Sequence, residues 1–586
     1  MPVLLRNIYG HLLIAGLSLL FPVLLYRARH LDDNALTSWQ WVFQAAEPWR
    51  LWLYLLLLTP LLWLLAKAPE WWREAGHSTP AGRQRRLMPL LARATTPLMA
   101  FLACLLFFDV PEMIVDAARY FIQAKSFSTY GPLYFYREWG GEIFAWTDLP
   151  LMSMLYGLLF TIFGESRLAA QLLNALLFAL TTLLIAQLGR DFWDEETGQA
   201  GALLFLGFPY LYSQTPLLLV DIGTMFFLLL ALASLHRAMT RGGWYVPLTA
   251  VAVIGVLLVK YSAWLLLSGL LPVFLCSLGP EPRRAIIRAA LALTPALLLV
   301  AVFFWGQREV MAEQIALLLE FQRPALSQGW REGLISTFFF QTHPLLTAAL
   351  LYSGYRAIRQ RDRRYAALSW LVILVLVVLE LRRIRYSIPI LPLLALLAGY
   401  GLRDLADPGL RRHLLVVIAG SSLLLAGGAF KPFLNSTGDR NLLEAGRFLD
   451  TLPRQPIGVV VLSEHDPVLD PRVTLPLLDL FTNQKVVYLP PATPPPQPPG
   501  VTESPLRFSW EMHLPEFYLP APAAPPPETV VVIKGSPTAR IPPETIMMLD
   551  GYHHLQQFSA DSGIFQYRPL VLIYRAADIA KPWPEP

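Results

Sequence analysis

Cysteine is almost absent: Cys104 and Cys276 are the only two in 586 residues, and each lies inside an apolar segment. A disulfide framework is therefore excluded, and the polar C-terminal part has to fold without cross-links in whichever compartment it occupies. Charge is scarce as well. Charged residues make up 15% of the chain against 55% apolar ones, far from the balance of a soluble globular domain. The net charge of +5 is no basis for nucleic-acid binding, because the arginines behind it cluster beside apolar segments. The first apolar segment follows a single arginine and lacks a small-residue cleavage site, so it reads as a retained helix and not a signal peptide.

Apolar segments of the roughly 20 residues that a bilayer core requires recur from Tyr9 to about Gly428, and residues 431–586 contain none. The expected fold is mainly α: a polytopic helical membrane bundle over residues 1–430, followed by a small α/β domain over residues 431–586. Basic residues in short loops mark the cytoplasmic side. The loop from Lys67 to Arg93 is the most basic, so it is placed inside, as is the N-terminus. Strict alternation then puts "GRDFWDEETG", "HRAMTRGG", "PEPRRAIIR", "YRAIRQRDRR" and "RDLADPGLRRH" on the same side, and nearly all are basic. The count comes to about thirteen spans, with the C-terminal domain outside. It requires Val246 to Leu278 to be two short helices broken near Lys260.

On this topology the longest outer loop runs over residues 109–165. It opens with "DVPEMIVDAARYFIQAKSF", where Asp109, Glu112, Asp116 and Arg119 recur at three- and four-residue spacing and would share one helix face, with Tyr120 beside them. Leu149 to Phe163 is apolar but short for a span, and is placed as a helix along the outer surface. Asp221, in "GFPYLYSQTPLLLVDIGTMFF", stands at the mouth of a span in an otherwise uncharged run. It is either a functional carboxylate or a helix N-cap. Lys260 faces outward too. So does "RRIRYSIPILP", whose Arg382, Arg383 and Arg385 oppose the inside-positive trend. These arginines either snorkel and pair with Glu380 or form an anion site, since guanidinium forks match phosphate oxygens and stay charged when partly buried.

With these segments in hand, the chain resembles the GT-C glycosyltransferases that use lipid-phosphate sugars, of the type that includes protein O-mannosyltransferases and the lipid A aminoarabinose transferase. "DAARYFIQAKSF" looks like the family's first-loop signature. "WTDLPLMSMLYGLLFTIFGESRLAAQLLNALL" is similar to its juxtamembrane helix and following span, and "PYLYSQTPLLLVD" to its second-loop aspartate. "GVLLVKYSAWLLL" is similar to its broken-helix lysine, and "RRIRYSIPILPLLAL" to its Arg-Tyr segment with two prolines. The likeness covers Asp109 to Leu402. The chain departs from the family in having Ala117 where a second acid is usual, Asp148-Leu149-Pro150 where a basic residue and two prolines are usual, and one extra N-terminal span.

The resemblance implies a membrane glycosyltransferase, hexosyl or pentosyl, that moves a sugar from a polyprenyl-phosphate donor to a hydroxyl of a lipid, glycan or protein at the outer face of the cytoplasmic membrane. Such transfer needs a base for the acceptor proton and cations for the departing phosphate. Asp116 is the expected base, with Asp221 orienting the acceptor or sharing a cation with it. Arg119, Lys260, Arg382, Arg383 and Arg385 are expected to hold phosphate, and Tyr120, Tyr386 and Asp148 to contact substrate. Whether a divalent cation takes part is left open. No ATP-binding signature is present, which suits an activated lipid donor. The loop from Gly306 to Gly333 either covers the site or is a plain surface helix. The alternatives are a secondary transporter, which would show internal repeats and mid-membrane polar groups, or another lipid-linked saccharide ligase.

In the C-terminal part "IGVVVLS", "KVVYLP", "TVVVIKG" and "LVLIYRA" read as buried strands and "DRNLLEAGRFLDTLP" as a helix. Residues 490–527 hold fourteen prolines and are expected to be extended or turn-rich. Ser463 to Asp466 read as a polar loop, since adjacency in sequence is not triad geometry. Asn435-Ser436-Thr437 matches a glycosylation acceptor by a short pattern only.

Overall fold

The computed structural model describes the chain except residues 1, 32–41, 44–46, 75–83, 113–114, 323–335, 380–383, 464–468, 492–496, 498, 505–506, 522–524, 536–537, 560–567 and 578–586. Among the described residues seven helices are long and apolar enough to cross a membrane: Ile8–Leu31, Pro48–Lys67, Arg167–Phe192, Asp221–Thr240, Pro282–Gly306, Ile384–Leu402 and Pro408–Asn435. Four shorter apolar helices, Ala94–Leu105, Leu151–Phe163, Tyr245–Val259 and Ser262–Ser277, join them.

The bundle is layered by burial. Asp221–Thr240 is 78% buried and Ile384–Leu402 94% buried, whereas Pro282–Gly306 is only 22% buried despite a higher hydropathy. A helix apolar on every side can face protein or lipid, so hydropathy alone does not separate the two positions. Small residues set the central contact: a Cβ on Gly399 would meet the Gly201 backbone nitrogen at 2.9 Å. That backbone approach is how helices pack where lipid offers no hydrophobic drive.

Two helices outside the long spans carry the segment over residues 109–165. Asp116–Arg137 is interrupted at Gly131, where φ is 84° ahead of Pro132. Its helix begins at Asp116, so Asp109 and Glu112 do not share its face as the spacing had predicted. They are held elsewhere, Asp109 by Lys431 at 2.9 Å and Glu112 by Arg167 at 3.1 Å. The Leu151–Phe163 helix has 13 residues, about 20 Å at 1.5 Å per residue, too short for a bilayer core of about 30 Å. It lies against the Asp116 helix at Gly157, where a Cβ would come 2.6 Å from that of Phe127.

The C-terminal part holds a five-stranded sheet of β1 (Ile457–Leu462), β2 (Val486–Tyr488), β3 (Thr529–Lys534), β4 (Tyr552–Phe558) and β5 (Leu570–Ala576), in the order β2-β1-β3-β5-β4. β1 runs parallel to β2 and β3, and β5 runs antiparallel to β3 and β4. The two-residue period of the strands divides their side chains between faces. Val459, Val461, Val531, Ile533, Val571 and Ile573 are continuous with the core of the helical body. Val460, Leu462, Val530, Val532, Leu570 and Leu572 form a second cluster on the other face. β4 went unpredicted because its polar "YHHLQQF" pattern has no buried face to advertise. The helix Pro471–Phe481 links β1 to β2 and packs on the Asp116 helix. The long β2–β3 connection carries the short helix Arg507–Glu511.

Candidate functional site

Side chains from five places in the chain meet in one charged network. The Asp116 helix supplies Asp116 in its first turn and Arg119 one turn later. Asp221 opens the Asp221–Thr240 helix one position after the cap residue Val220, so it is not the N-cap. Its carboxylate accepts from Lys260 Nζ at 2.8 Å and from Arg385 Nε at 2.7 Å. Lys260 is available because the Tyr245–Val259 helix stops before it, leaving its backbone extended (φ −164°, ψ 137°) until a helix resumes at Ser262. Arg385 stands at the start of the Ile384–Leu402 segment and donates from Nη1 to Asp116 Oδ2 at 2.7 Å. One guanidinium thus bridges two carboxylates that are 105 positions apart in sequence, being residues 116 and 221.

A second pair lies behind the first. Arg119 binds the Asp148 carboxylate through both Nε and Nη2 and reaches Asp116 at 3.5 Å. Asp148 also accepts from Tyr120 OH at 2.9 Å and Gln123 Nε2 at 3.3 Å, while Ser153 donates to Gln123 at 2.5 Å. Asp148 is therefore buried behind Arg119 and orients it. Burial would weaken the Arg119 charge, but Asp148 and then Asp116 hold the guanidinium above the ordinary arginine range. Burial, followed by the Asp148 charge, pushes the Tyr120 phenol well above the usual tyrosine value. Tyr386 lies with its ring 5.1 Å from Lys260 Nζ, a cation–π distance.

The network balances three carboxylates, Asp116, Asp148 and Asp221, against three cations, Arg119, Lys260 and Arg385. Its most accessible members are Asp116 and Lys260, each with a side chain 21% exposed, against 2% for Asp221 and 10% for Arg385. Entry to the network is thus through one acid and one amine. A cation shared by Asp116 and Asp221 would have to occupy the space that the Arg385 guanidinium fills. Among the described residues no group of three or more His, Cys, Asp or Glu is placed to hold a metal ion. The donor set fits an organic cation between the acids better than a metal. Arg382 and Arg383 lie outside the described residues.

Several neighbours were not singled out from sequence. Gln123 is one turn beyond Arg119 on the same helix face, a spacing that would have found it. Tyr261, next to Lys260, donates to Gln314 of the Arg308–Leu317 helix and packs with Leu149 and Met311. The segment after Gly306 therefore braces both the Lys260 turn and the Asp148 loop. Trp146, two residues before Asp148, has φ 49°, an uncommon conformation for a bulky residue. Phe508 lies over the Arg119 guanidinium at 4.4 Å, and nothing in its local sequence signals that.

Residues 148–306 match the family described as dolichyl-phosphate-mannose-protein mannosyltransferase. No curated protein matches the chain by sequence. Among solved structures, ArnT from Cupriavidus metallidurans bound to undecaprenyl phosphate aligns with a TM-score of 0.53 at 12% identity, over 85% of this chain and 99% of that one. Its apo state aligns at 0.52 and 14% identity, over 86% and 100%. The oligosaccharyltransferase AglB from Archaeoglobus fulgidus gives 0.44 at 12% identity, over 75% and 69%. By fold the chain resembles the GT-C membrane glycosyltransferases. Within them it is similar to ArnT and, over residues 148–306, to the protein mannosyltransferases.

Proposed function

We propose that the chain is a membrane glycosyltransferase that moves a sugar from a polyprenyl-phosphate donor to an acceptor hydroxyl at the outer face of the cytoplasmic membrane. The observation that carries this reading is the Asp116–Arg385–Asp221–Lys260 network, which links a partly exposed carboxylate to a partly exposed ammonium through the Arg385 guanidinium and the Asp221 carboxylate. The undecaprenyl phosphate in the ArnT structure supports the same donor class. About thirteen spans, a cytoplasmic N-terminus, a bundle over residues 1–430 with its catalytic outer loop at residues 109–165, and an extracytoplasmic α/β domain over residues 431–586 complete the reading.

In the proposed reaction Asp116 draws the proton from the acceptor hydroxyl as its oxygen bonds to the anomeric carbon. The bond from that carbon to the phosphate oxygen breaks, and its electron pair leaves with the polyprenyl phosphate. Lys260, with Arg385 behind it, takes up the charge gathering on the phosphate. Asp221 holds both cations in place, and Asp148 holds Arg119 beside the sugar. The proton passes from Asp116 to water. An in-line displacement inverts the anomeric centre, as the family resemblance implies.

Membranes carrying the parent or Asp116→Ala, supplied with labelled polyprenyl-phosphate sugars, test this directly. The variant is expected to lose about 10²–10⁴-fold in turnover, the range for a general base. Equal transfer by both proteins removes Asp116 from the chemistry, and no transfer by the parent with any donor removes the transferase reading.

A further inference from the structure

Two contacts on the Asp116 helix come from the C-terminal part of the chain. Arg119 is 4% exposed and lies under the ring of Phe508, itself 5% exposed, at 4.4 Å. Two turns further on, Lys125 Nζ pairs with Asp479 at 2.7 Å and with Glu165 at 2.7 Å. Asp479 is fixed in turn by Tyr518 OH at 2.7 Å. Phe517 and Tyr518 present ring faces to the ammonium at 5.2 and 5.5 Å.

The two grips are joined to each other. Asp479 belongs to the helix Pro471–Phe481, which begins beside Arg472. Arg472 donates to the Trp510 carbonyl and lies 5.0 Å from the Trp510 ring, on the same short helix as Phe508. The contacts therefore close a ring: Arg119 to Phe508, Trp510 to Arg472, Asp479 to Lys125, and back along the Asp116 helix. Arg119 and Lys125 are six positions apart, about 9 Å along a helix axis, so the helix is held at two separated points.

We propose that the C-terminal part completes the site, with Phe508 as a positioning residue that holds the Arg119 guanidinium and with the Lys125–Asp479 pair as the latch that seats it. The proposal rests on the transferase reading above. An aromatic face attracts a guanidinium placed over it, more strongly where water is excluded, and an arginine with a ring packed against it has fewer directions in which to turn its donors. The donors of Arg119 already go to Asp148 and toward Asp116, so a ring 4.4 Å from its Cζ limits which oxygens Arg119 can serve. Trp146 supports the arrangement from the loop side: its ring is 6.1 Å from Phe508, and Arg507 lies over it at 6.0 Å.

The test uses the full-length protein in membranes and the donor that the parent turns over. Phe508→Tyr keeps the ring and is expected to stay within about threefold of the parent. Phe508→Leu keeps the apolar volume but removes the π face, and is expected to lower kcat about tenfold with KM for the acceptor changed less than threefold. Lys125→Met combined with Asp479→Leu removes the latch without stranding a buried charge, and should give the same kcat loss. Phe508→Leu retaining parental kcat while the parent is active overturns this proposal alone. A parent inactive with every polyprenyl-phosphate sugar overturns the transferase reading and this proposal with it. A uniform fall in folded protein, with kcat per folded molecule unchanged, assigns the contacts to stability only and also overturns it.

Discussion

At the scale of single residues the site turns on Arg385. Its fork satisfies Asp116 and Asp221 simultaneously at 2.7 Å each, and Asp221 has almost no contact with solvent. A lysine in its place offers one compact ammonium without the rigid fork that spans the two carboxylates from Nε and Nη1. Arg385→Lys is therefore expected to lower kcat about 10²–10³-fold, as loss of a donor to developing charge does, and to leave the fold intact. Arg385→Ala goes further, because it takes one of two cations from the buried Asp221 carboxylate and leaves it to Lys260. Thermal unfolding in detergent should show a loss of about 3–5 kcal/mol, the cost of breaking one half of a buried ion pair. A stability change under 1 kcal/mol would mean that the bridge is not formed in the folded protein. Arg385 and Asp221 were both marked in the sequence by charge in an apolar context. Loop charges and the family resemblance led to the expectation that the two share a pocket; the bond itself, across 164 positions, is reported by no periodicity.

At the scale of elements, what could be read in advance was whatever local pattern controls. The break at Lys260 and the strands β1, β2, β3 and β5 follow apolar runs with clear ends. The true start of the Asp116 helix did not follow from spacing, because Glu112 is claimed by Arg167 and by the Leu218 amide at 3.1 Å, which are tertiary partners. That displacement places Glu112 near Asp439, in the first turn of the helix Asp439–Leu449. Burial, and then the neighbouring Glu112 charge, raise the Asp439 carboxyl well above its ordinary range. A folded-state value above the unfolded one means that the folded protein holds the extra proton. Stability from this group is then fully present below the unfolded value near 4 and is lost as pH rises toward the raised one. Asp439→Asn mimics the protonated form at every pH. Melting temperature measured across about pH 4 to 8 is expected to fall for the parent and to stay flatter for the variant, which should be the more stable at neutral pH. Parallel curves for the two proteins would show that Asp439 does not carry the proton.

At the scale of the whole molecule the charged network, the Asp116 helix and the sheet-bearing C-terminal part form one connected body, since one face of the sheet is continuous with the helical core. The resulting arrangement has a consequence for orientation. Arg385 pairs with Asp116 and, like Lys260, with Asp221 at one end of the bundle, and the C-terminal part touches that same end through Phe508 and Asp479. If a lipid phosphate is received from the outer leaflet, both must lie outside, while the arginine-rich turn near Arg359 must lie inside. Met547 is 71% exposed on the C-terminal part, and Arg359 is exposed near the end of the helix Pro344–Gln360. In a Cys276→Ser background, Met547→Cys should react with a membrane-impermeant maleimide in spheroplasts, and Arg359→Cys should react only after permeabilisation. Cys104 is buried and gives little background. The opposite labelling pattern would turn the network toward the cytoplasm, where a donor in the outer leaflet cannot reach Lys260.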